Sequence, residues 1–165
     1  MLEKELNNCM AISSRLTTQT LYSQDYYLWI KTTVNQLRVG QFSSVDIDNL
    51  IEELESIGKN EKRAIKSLLI RLLEHLLKLK YWDAERERNE GHWKGEIRTF
   101  RREIKEQLKD SPSLQPDILE IFDECYEEAR REASDRTKLS LDIFPVIPIG
   151  SLQQILDENW FPNFT

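Results

Sequence analysis

An all-α fold is what this sequence predicts: a single-domain bundle of four to five helices with a proline-broken C-terminal strap. Three observations carry that expectation. Apolar residues recur at steps of three and four along most of the chain, the spacing of one helix face. Five glycines and five prolines among 165 residues offer little turn chemistry for a many-stranded sheet. Hydrophobic residues make up 39% and charged residues 32%, the balance of a charge-rich helical protein rather than a disordered one.

The elements follow in order. Residues 1–19 are weakly periodic and rich in Ser, Thr and Asn, which reads as a flexible arm or a short helix; the single all-α domain is expected over 20–165. The first firm helix is expected from Ser23 to Val39, with Ser23 as N-cap, Asp25 near the positive helix end and Gly40 as C-cap. Tyr26, Trp29, Ile30, Thr33 and Leu37 form its expected buried stripe. Ser43 or Ser44, with Asp46 and Asp48, then supplies capping chemistry. Ile47, Leu50, Ile51, Leu54 and Ile57 start a pattern that resumes at Ala64 and runs to Leu79. Gly58 either divides it or is carried within it. Gly costs about 1 kcal/mol against Ala in a helix, which a long apolar stripe outweighs, so one long helix is favoured.

Residues 83–91, DAERERNEG, hold no apolar residue except Ala84 and read as a connecting loop or frayed helix end. Trp93, Ile97, Phe100, Ile104 and Leu108 mark the next amphipathic helix. Pro112 stops it, and Pro116 suits the first turn of a following helix through Ile118, Phe122, Cys125, Ala129 and Ala133. The stretch 139–150, LSLDIFPVIPIG, reads as an extended strap. Ser151 with Gln154 predicts a capping box for a short last helix to about Asn159.

Several of these segments together resemble a known family. QDYYLWIKTTVNQLRVGQF, DIDNLIEELESIGKNEKRAIKSLLIRLLEHLLKLKYW, HWKGEIRTFRREIKEQLKDSPSLQP and the closing QQILDENWFP are similar to the bacterial family called domain of unknown function 29, best known from photosynthetic bacteria. The resemblance covers about residues 20–162. It implies an all-α fold and brings no catalytic residue with it. The prolines of FPVIPIGS depart from the family's spacing.

Charge is unevenly spread. Residues 1–61 carry five basic and nine acidic residues, net −4. Residues 62–109 carry fourteen and eight, net +6, and residues 110–165 carry four and twelve, net −8. Neighbouring helices that neutralise one another are the simplest expectation. No apolar run approaches the roughly 18 residues of a membrane span. The N-terminus lacks the apolar core of a secretory signal, so a cytoplasmic protein is expected. Cys9 and Cys125 lack metal-ligand spacing and read as free thiols. No Gly-rich phosphate loop, no G-x-S-x-G and no zinc-spaced Cys/His set is present, so neither cofactor nor metal is expected.

The chain has two histidines. On a helical wheel with Arg71 at 0°, Ser67, Glu74 and Lys78 form a narrow polar face and Leu68, Leu72, Leu76 and Leu79 an apolar one. His75 falls on the seam, at about 40°. Positions 71, 72, 78 and 79 are Arg, Leu, Lys and Leu, so its own helix offers no second metal ligand. A structural histidine with a local hydrogen-bond partner is the favoured reading. His75, Tyr81, Trp82 and Trp93 would line a cleft if three helix ends converge.

Arg86-x5-His92 in RERNEGHW resembles the loose Arg-x(4–6)-His pattern of HEPN ribonucleases. There the histidine would act as acid/base and the arginine would hold the scissile phosphate, without metal. Lys94, Arg98, Arg101, Lys105 and Lys109 form a basic stripe over the 92–109 helix that would contact phosphates. Glu103 and Glu106 interrupt its neighbourhood, so an acid-paired helix face is favoured over a nucleic-acid footprint. The most economical functional expectation is a non-catalytic helical interaction module, with a protein partner or self-association. A metal-independent ribonuclease and nucleic-acid binding are the alternatives.

Overall fold

The computed structural model of the protein describes residues 20–163. The expectations for the arm 1–19 and for Cys9 lie outside the described residues. The fold is all-α, and no strand occurs among the described residues. The chain divides after Lys59 into two compact units, and one long helix runs through the boundary.

In the first unit, residues 20–24 are helical and Asp25 interrupts the chain to cap helix α1, Tyr26–Arg38. Asp25, not Ser23, is the cap. Its carboxylate accepts from the Leu28 N–H at 3.0 Å, satisfying one of the donors that a helix start leaves open. Gly40 ends the helix with φ +74°, the left-handed conformation that favours glycine, and Gln41 N–H donates back to the Gln36 carbonyl. A 3₁₀ turn, Phe42–Ser44, leads to buried Val45. Asp46, rather than either serine, caps the next helix. Its backbone carbonyl accepts from Leu50 N–H, and its carboxylate accepts from the Asn49 amide at 2.7 Å.

That helix, α2, spans Ile47–Tyr81 without a break. Gly58 is carried inside it, as the apolar stripe predicts. Its first turns meet the aromatic cluster of the first unit. The Tyr22 and Tyr26 hydroxyls each donate to Glu53 at 2.7 Å, and both rings contact Trp29.

In the second unit, every residue of α2 from Leu72 to Leu79 is buried. A helix with no solvent face must be surrounded, and the order of contacts shows by what. Trp82 meets Trp93, His75 meets Glu96 and Glu61 meets Ser111, so helix α3, Asp83–Asp110, returns antiparallel to α2. Lys62 pairs with Asp117, Lys66 with Glu124 and Glu74 with Arg136. Helices α4, Leu114–Glu120, and α5, Phe122–Thr137, therefore run parallel to α2. Ile97, Ile104, Ile118, Cys125, Ala129 and Ala133 close the core around the leucines. Each buried leucine contributes about 2 kcal/mol of transfer free energy.

Two boundaries differ from expectation. Residues 83–91 are helical, so α2 and α3 are joined through Trp82 alone. Apolar periodicity could not reveal this segment because local polar contacts hold it. Asp83 and Glu85 favour the helix start, Arg86 pairs with Asp83, Lys94 with Glu90, and Asn89 donates to Glu85. The helix expected after Pro116 is broken at Ile121 into α4 and α5.

The stretch expected as an extended strap is irregular, with a 3₁₀ turn at Leu141–Ile143 and bends at residues 144, 146–147 and 149–150. Phe144 is buried against the ring of Tyr81. Arg130 donates twice to the Phe144 carbonyl, and the Tyr126 hydroxyl donates to Pro145. The Ser151–Gln154 capping box is formed and starts helix α6, Leu152–Leu156, which ends earlier than Asn159.

A Cβ added at Gly58 meets nothing within 4 Å, and its backbone is helical. Gly58→Ala is expected to raise stability by about 0.5–1 kcal/mol by reducing unfolded-chain freedom. Urea denaturation followed by circular dichroism checks this; an unchanged or lower midpoint contradicts it.

Candidate functional site

Of the polar face expected on α2, Glu74 and Lys78 are buried while Ser67 is exposed. Glu74 is 1% exposed, and Lys78 and His75 are also buried. Lys78 Nζ lies 3.1 Å and Arg136 Nε 3.0 Å from the same Glu74 oxygen. Both are ion pairs by distance rather than aligned hydrogen bonds. Burial pushes the Glu74 carboxyl up, but His75 and Lys78 together outweigh it and hold the group below the ordinary 4.5.

His75 has found its partners. Its Nδ1 donates to the Arg71 carbonyl at 2.8 Å, and its Nε2 lies 2.6 Å from Glu96 Oε2. The ring also meets the edge of Phe100, 5.2 Å between centroids. His92 reaches the same Glu96 oxygen from one turn earlier on α3, at 3.5 Å. Both histidines of the chain therefore flank one carboxylate, a convergence that neither helix pattern reveals alone. Lys78 Nζ stands 3.3 Å from His75 Nε2. Among the described residues no group of three or more His, Cys, Asp and Glu is placed to hold a metal ion.

Of the four residues expected to line a cleft, His75, Trp82 and Trp93 are linked through Lys78, whose Nζ lies 3.3 Å from His75 Nε2 and 5.8 Å from the Trp93 ring centroid. Trp82 stacks on buried Trp93 at 5.6 Å, Tyr81 turns to Phe144, and His75 turns to Phe100. Arg86 and His92 are separated by function as well as angle. Six residues apart on one helix, they lie about 120° apart around it. The Arg86 guanidinium donates to the carbonyls of Leu79 and Lys80 and pairs with Asp83, closing the C-terminal end of α2.

The basic stripe is divided in the same way. Arg101, expected on the surface, is 0% exposed. It donates to the carbonyls of Ile155, Glu158 and Trp160, and burial lowers its pKa to about 10. Lys105 pairs with Glu158 at 2.6 Å, and Lys94 pairs with Glu90. Lys94, Arg98 and Arg101 also cover the Phe161 ring. An open groove of about 390 Å³ beside it is lined by Arg98, Arg102, Glu158, Asn159 and Phe161. Cys125 is buried and its thiol is pushed up to about 11, largely by desolvation, so it is not poised as a nucleophile.

The first unit holds a different feature. Trp29, Thr33 and Gln36 form the buried side of α1, whereas Tyr26 and Leu37 of the expected stripe are exposed. Tyr27 is 70%, Phe42 64% and Leu54 61% exposed, with Ile47, Ile51 and Ile57 also open. Periodicity located Ile47, Ile51, Leu54 and Ile57 on one face of α2, but it cannot say whether that face is covered.

Residues 21–161 match the model of the family described as Domain of unknown function DUF29. The chain belongs to this family. No curated protein and no solved structure matches it. The match covers nearly the same span as the sequence resemblance. In this DUF29 chain no helix of the described residues is long and apolar enough to cross a membrane.

Two outcomes test the buried polar groups. Arg101→Met is expected to destabilise the protein by about 3 kcal/mol, because it leaves buried carbonyls without a donor. It should also speed proteolysis near residues 152–163 over the rest of the chain; Arg101→Lys should not restore resistance. Urea melts and mapped chymotryptic fragments check both. For Glu74, the folded pKa lies below the unfolded one. Its charge therefore stabilises above pH 4.5 and is lost as pH falls through the folded value. Glu74→Gln should cost about 3 kcal/mol at neutral pH. In urea midpoints taken across pH, that gap should narrow as pH falls below 4.5.

Proposed function

We propose that this protein is a helical interaction module and that its N-terminal unit is the docking element for another protein. The observation that carries this is an inverted burial pattern. On α1 the buried side includes Thr33 and Gln36, and the buried Trp29 Nε1, Thr33 Oγ1 and Gln36 Oε1 have no hydrogen-bond partner among the described residues. The exposed side of the same helix carries Tyr27 and Val34, and Leu37 at the edge of the buried side is also open. Within the same unit the first turns of α2 expose Ile47, Ile51, Leu54 and Ile57.

Single exposed apolar residues are ordinary on protein surfaces, but a row at helical spacing on successive turns is a contact surface in search of a cover. Each side chain that is half exposed here offers roughly 1 kcal/mol on burial. Four or five together supply the apolar centre of a small interface. The anchors at i, i+4, i+7 and i+10 have the spacing by which helices present apolar faces to partners.

A photo-crosslinking amino acid placed at position 54 of the full chain tests this in living cells. Covalent adducts with another polypeptide are expected at position 54 and not at the exposed position 87 of α3. Absence of adducts at 54, or equal adducts at both positions, overturns the proposal.

A further inference from the structure

We infer that the occupant of the α2 face is a basic amphipathic helix of a partner protein, not a second copy of this chain. The inference rests on the docking reading above and deepens it. From residue 39 to residue 58 the chain contains five acidic residues and no lysine or arginine. Four of the five, Asp48, Glu52, Glu53 and Glu55, lie on the first turns of α2, beside the exposed Ile47, Ile51, Leu54 and Ile57.

Their angular placement decides which partner fits. With Ile47 at 0°, the apolar side chains occupy an arc from about −80° to about 40°. Asp48, Glu55 and Glu52 follow on one flank between about 80° and 140°. All three are exposed. Glu53 lies on the other flank, near −120°, fixed there by hydrogen bonds from Tyr22 and Tyr26 at 2.7 Å. Those bonds hold its carboxyl below the ordinary range, so it stays ionised. The first neighbouring cation, Lys59, pairs with Glu55 at 3.1 Å, but both groups are well exposed and such a pair neutralises little. The apolar arc is therefore bounded by carboxylates on both sides.

A second copy meets repulsion in either direction. An antiparallel copy sets the Asp48–Glu52–Glu55 flank against its own equivalent. A parallel copy sets that flank against Glu53. Like charges across an interface disfavour the pairing, whereas lysines and arginines flanking an apolar stripe complement every position. The stripe from Ile47 to Ile57 is about 15 Å long, so it fits three to four turns of a partner helix.

The test uses the full chain and three labelled helical peptides of about 14 residues, roughly four turns. The first carries leucine at i, i+3, i+4, i+7 and i+11 with lysine elsewhere. The second has the same leucines with glutamate elsewhere. The third has the composition of the first, reordered so that leucines share no face. Fluorescence anisotropy at near-physiological salt is expected to show the first binding at least about tenfold tighter than either other peptide. Leu54→Asp should abolish that preference, and Glu52→Lys with Glu55→Lys should weaken the first peptide and strengthen the second. Circular dichroism confirms that these surface variants keep their helix content. Equal binding of the first and third peptides would reduce the effect to charge attraction and overturn the inference. Equal binding of the first and second, or binding of none, also overturns it, while leaving the docking reading to the crosslinks at position 54. A concentration-dependent dimer lost in Leu54→Asp would assign the face to a second copy instead.

Discussion

The C-terminal unit depends on one constraint: α2 has no solvent face between Leu72 and Leu79. Leucines tolerate that on most sides, but Glu74, His75 and Lys78 sit within the same turns. A buried carboxylate is costly unless cations stand against it. Lys78 supplies one from the same helix and Arg136 another from α5. His75 bridges to Glu96 of α3. The polar strip thus sets how both neighbouring helices pass α2, while the leucines supply the burial that makes the arrangement favourable. Apolar packing alone would allow several rotations of each helix; the placement of Glu74 and His75 leaves fewer.

Arginine performs a second structural task here. Arg86 donates to carbonyls at the C-terminal end of α2, Arg130 to the Phe144 carbonyl of the strap, and Arg101 to three carbonyls of the C-terminal segment. Each guanidinium offers several donors in a rigid fork, which suits backbone that no ladder or helix satisfies. The basic middle of the sequence is therefore partly internal. Its charge goes to acidic neighbours and to carbonyl oxygens before any external anion. Part of the net charge of +6 over residues 62–109 therefore has partners inside the fold.

The N-terminal unit follows the opposite logic. Its internal contacts are polar and aromatic, centred on Glu53, Tyr22, Tyr26 and Trp29, while much of its aliphatic surface is open. Acidic side chains lie beside that surface. In one chain, the leucine-rich half of α2 is covered and the isoleucine-rich half is open.

Much of this was legible beforehand. Period and capping residues alone determined the all-α class, the buried stripe of Trp93, Ile97, Phe100 and Ile104, and the Ser151–Gln154 box, because each depends on residues within a few turns; they favoured, without deciding, the single long helix through Gly58. The helix over 83–91 was missed because its support is polar and its anchor, the end of α2, is not encoded in local periodicity. Only the tertiary structure decided that Arg101 is buried and Arg86 caps a helix. It also decided that His75 and His92 share Glu96 and that the Ile47–Ile57 stripe is open. Those outcomes depend on which helix lies beside which. The apolar residues of Leu72–Leu79 are covered by neighbours, and those of Ile47–Ile57 are left largely open.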